Sequence, residues 1–574
     1  MTIPERVMRN ARRIPDRPAF MVRTEDRWQP IPWSTYGRDV HTVAAALAYL
    51  GIAPGDRVAI LGHNRPEWIT FDVGAMAAAA APAGIYATSS AEEVEYILAH
   101  SGARIVLVEN RTQWEKVASV RDRLPALEWI VLMRGAHGVD DECTLTWESF
   151  LSWGADGAAV VDERAVQRTP DALATLIYTS GTTGPPKGVM LTHDNLAWTG
   201  TQAVDLFAIT SDDSTLSYLP LSHIAEQVFS IHAAATAGYP VWFARSIERL
   251  RSDLAEVRPT VFFGVPRVWE GIVRGVRSEV RQLDGPKGAL AKWAMDAARV
   301  YHDRSLSSRA DLISGTTYEA ARRLVTDQIK RRIGLDRTRL ALSGAAPIDP
   351  EVLDELTAID LVVREVYGQS EDTGPTTINV PGATRIGSVG RPWPGTDVML
   401  ADDGEVLVRG RNVFAGYLGD AAATTAVLRD GWMHSGDVGV FDDDGYLTIT
   451  GRKKEIIVTS GGKNIAPKPI EELLKRSAPI GEAVVVGDGR DYLSALIVVD
   501  DAYDGELDAR DAVEDAIMGV NERLARVERI KRFDILPRPL TMEDGELTPT
   551  LKVKRSVVAE HFADRIAALY PTGR

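Results

Sequence analysis

Along the chain as far as Leu342, short apolar blocks rich in β-branched residues alternate with longer segments whose apolar positions recur at helical spacing. Residues 38–50 have the amphipathic helical pattern and stop at Gly51, Arg57–Leu61 reads as a strand, and a helix is predicted to start at Pro66. Ser90 and Glu93 form a capping box ahead of a helix through Ala99; Ser101-Gly102 ends it, and residues 104–108 make the next buried-type strand. Further strands are predicted at 129–133, 173–179, 241–244, 260–264 and 339–342, with helical intervals between most of them. This alternation predicts an α/β fold built on mainly parallel sheets. The alanine-rich stretch 74–87, broken by Pro82, is expected to be a buried helix, well short of the ~20 apolar residues a membrane span requires.

The pattern changes twice more. Residues 267–334 are charged and short of strand signals, which predicts an α-helical insertion. Its basic face, with Arg322, Arg323, Lys330, Arg331 and Arg332, reads first as a solvated helix face and second as a peripheral contact for acidic membrane lipids. From Asp397 the chain turns to antiparallel pairs, with hairpin turns at Asp403-Gly404 and Asp444-Gly445. Beyond Lys454 come a strand at 456–458, a strand pair at 483–486 and 493–499, and a helix at 510–530. The predicted organisation is a large N-terminal domain, 1–452, with a β-rich subdomain at about 397–452, and a small α+β domain, 453–574.

Composition narrows the function. The 80 acidic and 65 basic residues leave a net charge of −15, which speaks against a broad nucleic-acid surface and obliges any anionic ligand to find a locally basic pocket. The single cysteine, Cys143, forms neither an intrachain disulfide nor a cysteine zinc site. The first twenty residues are charged throughout, so no secretory signal is expected. A cytoplasmic protein is the expectation, with the inner membrane face as the place of any peripheral contact; oligomeric state is left open.

Chemistry concentrates at residues 178–188, YTSGTTGPPKG, directly after the apolar strand LATLIYT. Gly181, Gly184 and Gly188 let backbone N–H groups approach phosphate oxygens, Ser180, Thr182 and Thr183 add hydroxyls, and Lys187 supplies a cation. The GxxxxGK[ST] phosphate loop is excluded, because Lys187 is followed by Gly188 rather than by a metal-binding hydroxyl.

The order of residues in this loop resembles the signature of the adenylate-forming superfamily, which includes acyl-CoA synthetases, luciferases and the adenylation domains of peptide synthetases. Companion motifs follow in order: LPLSHIAE at 219–226, SGAAP at 343–347, VYGQSE at 366–371, HSGDVG at 434–439, GRKKE at 451–455 and LTPTLKVKR at 547–555. PLSHIAE, VPRV at 265–268 and SGGKNIAP at 460–467, with the helical insertion, are most similar to long-chain fatty acyl-CoA synthetases.

That resemblance implies ATP-dependent activation of a fatty acid to acyl-AMP, then transfer to CoA, with Mg²⁺ as cofactor. It puts ATP against Thr179 to Gly184 and Lys187, with adenine at Gly344, Ala345 and Ala346, Tyr367 stacked on the base, and Gly368, Gln369 and Ser370 beside it. Asp437 would accept from the ribose hydroxyls, Arg452 would reach ribose and α-phosphate, and Glu371 with Thr182 would hold Mg²⁺. His223 is implied beside the reacting carboxylate, where a packing role is the alternative.

The family rotates its C-terminal domain between half-reactions, which implies a hinge at Lys454, a catalytic lysine at Lys552 and a pantetheine loop at Ser460, Gly461 and Gly462. Many members have glycine before that lysine; here it is Leu551, and Lys554 is the competing candidate. Ile224, Val228, Phe262, Phe263, Gly264 and Val265 are candidates for the acyl pocket, and Gln227 stands where some bacterial members carry a gating tryptophan. The rival readings are an acyl-AMP ligase that loads a carrier protein and a non-catalytic nucleotide or fatty-acid binding module.

Overall fold

The computed structural model describes residues 1–25, 27–154, 158–179, 185–306, 312–500, 503, 509–548 and 552–570. The chain forms two compact units: a larger one, Met1–Thr179 with Pro186–Val398 and Val408–Met433, and a smaller one built from Met399–Leu407 and the chain from His434 onward. No helix among the described residues is long and apolar enough to cross a membrane.

The larger unit contains an eight-stranded sheet ordered Gly416–Tyr417, Lys187–Thr192, Leu173–Thr179, Ala81–Ile85, Arg57–Leu61, Ile105–Val108, Trp129–Leu132 and Thr144–Leu145. From Leu173–Thr179 onward all pairs are parallel, and the first two strands are antiparallel additions. Both faces are covered, so strands such as Ile105–Val108 are buried at every residue and read as unbroken apolar runs. A five-stranded sheet runs Val261–Gly264, Leu340–Ser343 and Val363–Tyr367 in parallel, then Thr377–Ile378 and Arg391–Pro392 antiparallel. The local signals act as read: Ser90 accepts from the Glu93 N–H at 3.2 Å, and Gly102 closes that helix at φ +63°.

Two elements differ from the sequence expectation. The stretch 74–87 is not one helix: the helix Pro66–Ala77 ends, the chain turns, and Ala81–Ile85 becomes a central parallel strand. Proline is rare there because it has no N–H to give the ladder; its carbonyl is satisfied by the Thr175 hydroxyl, which donates to it at 3.1 Å. The helix expected at 510–530 is Ala509–Arg523, and Ile530–Ile535 is a strand parallel to Leu493–Val499. The Asn521 amide makes the reversal: its Nδ2 donates to the Ile530 carbonyl at 2.9 Å and its Oδ1 accepts from the Ile530 N–H at 2.8 Å.

The insertion is helical, with Pro266–Arg281, Gly285–Leu306, Leu312–Ala321 and Asp327–Ile333. Its basic residues are paired: Arg322 with Glu319 and Asp327, Arg323 with Glu319, Arg331 with Asp336 and Arg332 with Glu279. Lys330 is no surface group at all. Its side chain is 10% exposed and pairs with Asp360, itself 9% exposed. Asp360 also takes hydrogen bonds from His302 Nε2 and the Tyr318 hydroxyl, both at 2.8 Å, so one carboxylate ties the inserted helices to the turn before Val363–Tyr367.

Burial by itself would raise the Asp360 pKa, but the His302 hydrogen bond and the Lys330 charge outweigh it and hold the group below its ordinary value. Its folded pKa is therefore depressed, and its contribution is present at neutral pH and lost as pH falls through the acid range. Asp360→Asn keeps the left-handed turn at φ +64° but removes the nearer counter-charge of the buried Lys330 ammonium, leaving it only the more distant Asp327 at 3.5 Å. We expect a loss of about 3 kcal/mol in urea unfolding and faster proteolysis within 267–334, with partial recovery on adding Lys330→Met.

Candidate active site

In the larger unit, several of the candidate site residues lie at the carboxyl ends of strands, where an α/β sheet opens to ligands. Thr179 ends its strand and pairs across the hairpin with Lys187. Ser180, Gly181, Thr182, Thr183 and Gly184 lie outside the described residues. Tyr417 pairs with Val189 on the neighbouring strand, which brings its ring under Lys187: the ammonium stands 4.7 Å from the ring centroid. The Tyr417 hydroxyl donates to Glu371 Oε1 at 2.8 Å, and the Phe414 N–H donates to the Glu371 carbonyl at 2.9 Å. Tyr417 was not singled out by sequence; the signal available was an aromatic residue after Gly416 in a motif-poor stretch.

Glu371 sits in the tight turn Ser370–Asp372, where Asp372 accepts from the Gln369 N–H at 2.6 Å. Gly368 has no alternative, since a Cβ there would lie 1.6 Å from the Gly374 carbonyl oxygen. No cluster of three or more His, Cys, Asp or Glu side chains suited to a metal occurs among the described residues. Glu371 nevertheless fits Mg²⁺, which takes one or two carboxylates and draws its other ligands from phosphate oxygens and water.

Strands Leu340–Ser343 and Val363–Tyr367 are adjacent, with Ser343 opposite Glu365, so Gly344, Ala345 and Ala346 emerge beside Tyr367. Gly344 is packed too closely for a side chain: a Cβ would meet Val366 Cγ1 at 2.8 Å and Phe263 Cε2 at 3.1 Å. Ala345 turns at φ +68°. Glu365 is pushed up to about 8 by burial, with the Gly387 N–H donating to it at 3.1 Å.

The PLSH segment lies close by: the Tyr218 hydroxyl just before it donates to the Phe263 carbonyl at 3.1 Å. His223 caps the short helix Ile224–Gln227, its Nδ1 accepting from the Ala225 N–H at 3.1 Å. Gln227 is fully buried and its amide donates to the Leu221 carbonyl at 2.9 Å, so this side chain braces the loop. Glu226 is buried and pushed up to about 7 by that burial; the Leu219 N–H at 3.2 Å and the Ser230 hydroxyl donate to it. Ile224 and Val228 face Gly374, where a Cβ would lie 3.9 and 3.3 Å away from them. Phe263 stacks on Phe229 at 5.3 Å, whereas Phe262 packs into the core against Tyr218 and Trp269. Gly264 accepts from Trp269 Nε1 at 3.1 Å, and Val265 caps the helix Pro266–Arg281.

In the smaller unit, Asp437 and Arg452 are cross-strand partners, and Arg452 Nε donates to Asp437 Oδ1 at 2.8 Å. Lys552 feels both. Although the residue is exposed, its pKa is drawn down to about 8, by desolvation first and the Arg452 charge second, against the pull of Asp437. Its backbone is fixed by a closed loop: Lys552 N–H donates to Thr548 Oγ1 at 3.0 Å and Thr548 N–H to the Lys552 carbonyl at 2.7 Å. Lys554 instead precedes the helix Arg555–His561. Leu551 lies outside the described residues. Lys454 is in the short turn Lys453–Glu455 that follows Arg452. Ser460, Gly461 and Gly462 form an exposed turn in which the Ser460 N–H donates to the Arg490 carbonyl at 2.9 Å and Gly462 adopts φ +71°.

Residues 7–418 match the family model of the AMP-binding enzyme, and residues 454–573 that of the AMP-binding enzyme C-terminal domain. The long-chain-fatty-acid–CoA ligase ACSBG2 of Xenopus laevis is 34% identical over 99% of this chain and 84% of its own length. The long-chain-fatty-acid–CoA ligase FadD15 of Mycobacterium bovis is 36% identical over 98% of this chain and 96% of its own. Among solved structures, an anthranilate CoA ligase with bound anthranoyl-AMP aligns with TM-score 0.76 at 22% identity, over 99% of this chain and 98% of that one. The adenylation domain of a carboxylate reductase from Mycobacterium chelonae aligns with TM-score 0.80 at 20% identity, over 100% of this chain and 91% of that one. At those identities the structures speak to the fold, which is that of adenylate-forming enzymes. Family models over nearly the whole length, and full-length relatives above 30% identity, lead to one statement: the chain belongs to the AMP-binding enzyme family.

Proposed function

We infer that this chain is an AMP-forming long-chain-fatty-acid–CoA ligase. The observation that carries the reading is the near-full-length similarity to ligases of that name, in a chain that keeps the acidic and basic residues such chemistry needs. In the first step a fatty carboxylate oxygen attacks the α-phosphorus of ATP, the bond to pyrophosphate breaks, and acyl-AMP remains. In the second the CoA thiol sulfur attacks the acyl carbon, AMP leaves, and the thiol proton passes to solvent.

Two anions meet in the first step, so the protein's part is orientation and positive charge. Lys187 faces the phosphates, Lys552 meets the charge building between carboxylate and α-phosphate, and Arg452 steers ribose and phosphate while Asp437 accepts from the ribose hydroxyls. Glu371 would hold Mg²⁺, which when bound would neutralise phosphate charge. Tyr367 and Gly344 to Ala346 take the base, and Ile224, Val228 and Phe263 border the acyl chain. Lys454 serves as hinge between a large and a small domain divided near residue 452, and Ser460 to Gly462 pass close to pantetheine in the second step. A cytoplasmic location belongs to this reading and is supported by the single cysteine.

The deciding assay is AMP release from ATP and a series of fatty acids, with and without CoA. Strong CoA dependence with long chains is expected; release that ignores CoA and needs a carrier protein would overturn the thioester product. Lys552→Ala should slow pyrophosphate formation by about 100- to 1,000-fold while thioester formation from supplied acyl-AMP survives. Because the Lys552 pKa is drawn down to about 8, the amine is cationic below that value and neutral above it. Pyrophosphate formation should therefore fall as pH rises through about 8, and Lys552→Arg should move that alkaline limb upward by at least about 2 units. Lys454→Pro fixes φ at the hinge and should let acyl-AMP accumulate, with its transfer to CoA slowed; rapid-quench measurement of both species checks it.

A further inference from the structure

Lys187 and Glu371 carry opposite charges, and in an acidic chain such groups would ordinarily pair and cancel. Among the described residues they form no ion pair with each other; one side chain stands between them. Tyr417 is buried, 7% exposed, and its ring packs edge-to-face on Phe414 with centroids 4.9 Å apart. Its position is set by backbone on both sides. It pairs with Val189, two residues from Lys187, and the Leu418 N–H donates to the Gly188 carbonyl at 2.8 Å. On the other side the Phe414 N–H grips the Glu371 carbonyl. Gly416 makes this strand fit, because its φ of +134° and a Cβ 2.7 Å from Thr424 Cγ2 exclude a side chain.

We propose that Tyr417 is the positioning residue that keeps Lys187 and Glu371 apart and ready: its ring carries the ammonium and its hydroxyl fixes one oxygen of the carboxylate. Neither contact supplies an opposite charge. A cation over a phenol ring and a hydroxyl on a carboxylate hold direction without neutralising either charge. Glu371 keeps its second oxygen for the metal, and Lys187 keeps its donors for phosphate. This inference rests on the assignment of Lys187 to phosphate and Glu371 to Mg²⁺.

The test compares Tyr417→Phe, which keeps the ring and removes the hydroxyl, with Tyr417→Leu, which removes both. Mn²⁺ binding in the presence of a non-hydrolysable ATP analogue, followed by water-proton relaxation, reads the metal side without turnover. Tyr417→Phe should lose about 10-fold in Mn²⁺ affinity, with the KM for ATP at saturating metal unchanged. Tyr417→Leu should in addition raise that KM by about 5-fold, as Lys187 loses its support. Combined with Glu371→Gln, Tyr417→Phe should add no further loss of Mn²⁺ affinity, because the two act through one contact. Wild-type Mn²⁺ affinity in Tyr417→Phe, or losses that add in the double variant, would overturn the coupling. Should Glu371→Gln itself bind Mn²⁺ normally, both the coupling and the metal assignment fall; if it binds weakly while Tyr417→Phe does not, only the coupling falls. Should Tyr417→Leu not fold, Tyr417→Phe and the double variant still decide.

Discussion

Keeping cations available inside an acidic chain is the constraint on which this molecule depends. With a net charge of −15, many basic side chains find a carboxylate, and the helical insertion shows it: Arg322, Arg323 and Lys330 are all committed to acidic partners. A group that is to meet phosphate must escape that fate without being left costly and unsupported. Lys187 does so by resting on an aromatic face, where attraction comes without neutralisation. Lys552 is a different case: desolvation first, and the Arg452 charge second, make its ammonium easier to deprotonate than an ordinary lysine's. Arg452 is the exception, since it pairs with Asp437, a group assigned to the same nucleotide.

Backbone supplies the second requirement, which is close approach. Parallel strands end together, so SGAAP and Tyr367 emerge side by side from neighbouring strands. The glycines at these ends are demanded by space: Gly344 by Val366 and Phe263, Gly368 by the Gly374 carbonyl. A loop packed this tightly presents main-chain atoms to a ligand and resists collapse when none is bound. The π-turn Val228–Ala233 fits the same logic, since it leaves the Phe229 carbonyl to a bond from the Tyr239 hydroxyl while Phe229 stacks on Phe263.

The fold class and the order of chemical motifs were legible because they rest on local rules. A buried parallel strand is an apolar run, a capping box spans four residues, and a glycine-rich loop after a strand is adjacent in sequence. The central strand Ala81–Ile85 was not legible, because alanines and Pro82 carry no strand preference; only the neighbours Arg57–Leu61 and Leu173–Thr179 make a strand of it. The strand Ile530–Ile535 depends on a reversal made by the Asn521 side chain, which period alone does not reveal.

The site divides in the same way. By itself the sequence determined which residue types are present and in what order: hydroxyls and glycines before Lys187, a carboxylate after the VYGQS turn, Asp437 and Arg452 fifteen positions apart in strands joined by one turn. Tertiary structure alone decided that Tyr417 joins Lys187 to Glu371, that Phe263 rather than Phe262 turns toward Gly344, and that Lys330 is buried on Asp360 instead of displayed. The reason is physical. Residue type and spacing fix what a side chain is able to do, but which charges meet depends on strand neighbours far apart in the chain, and those are chosen by packing.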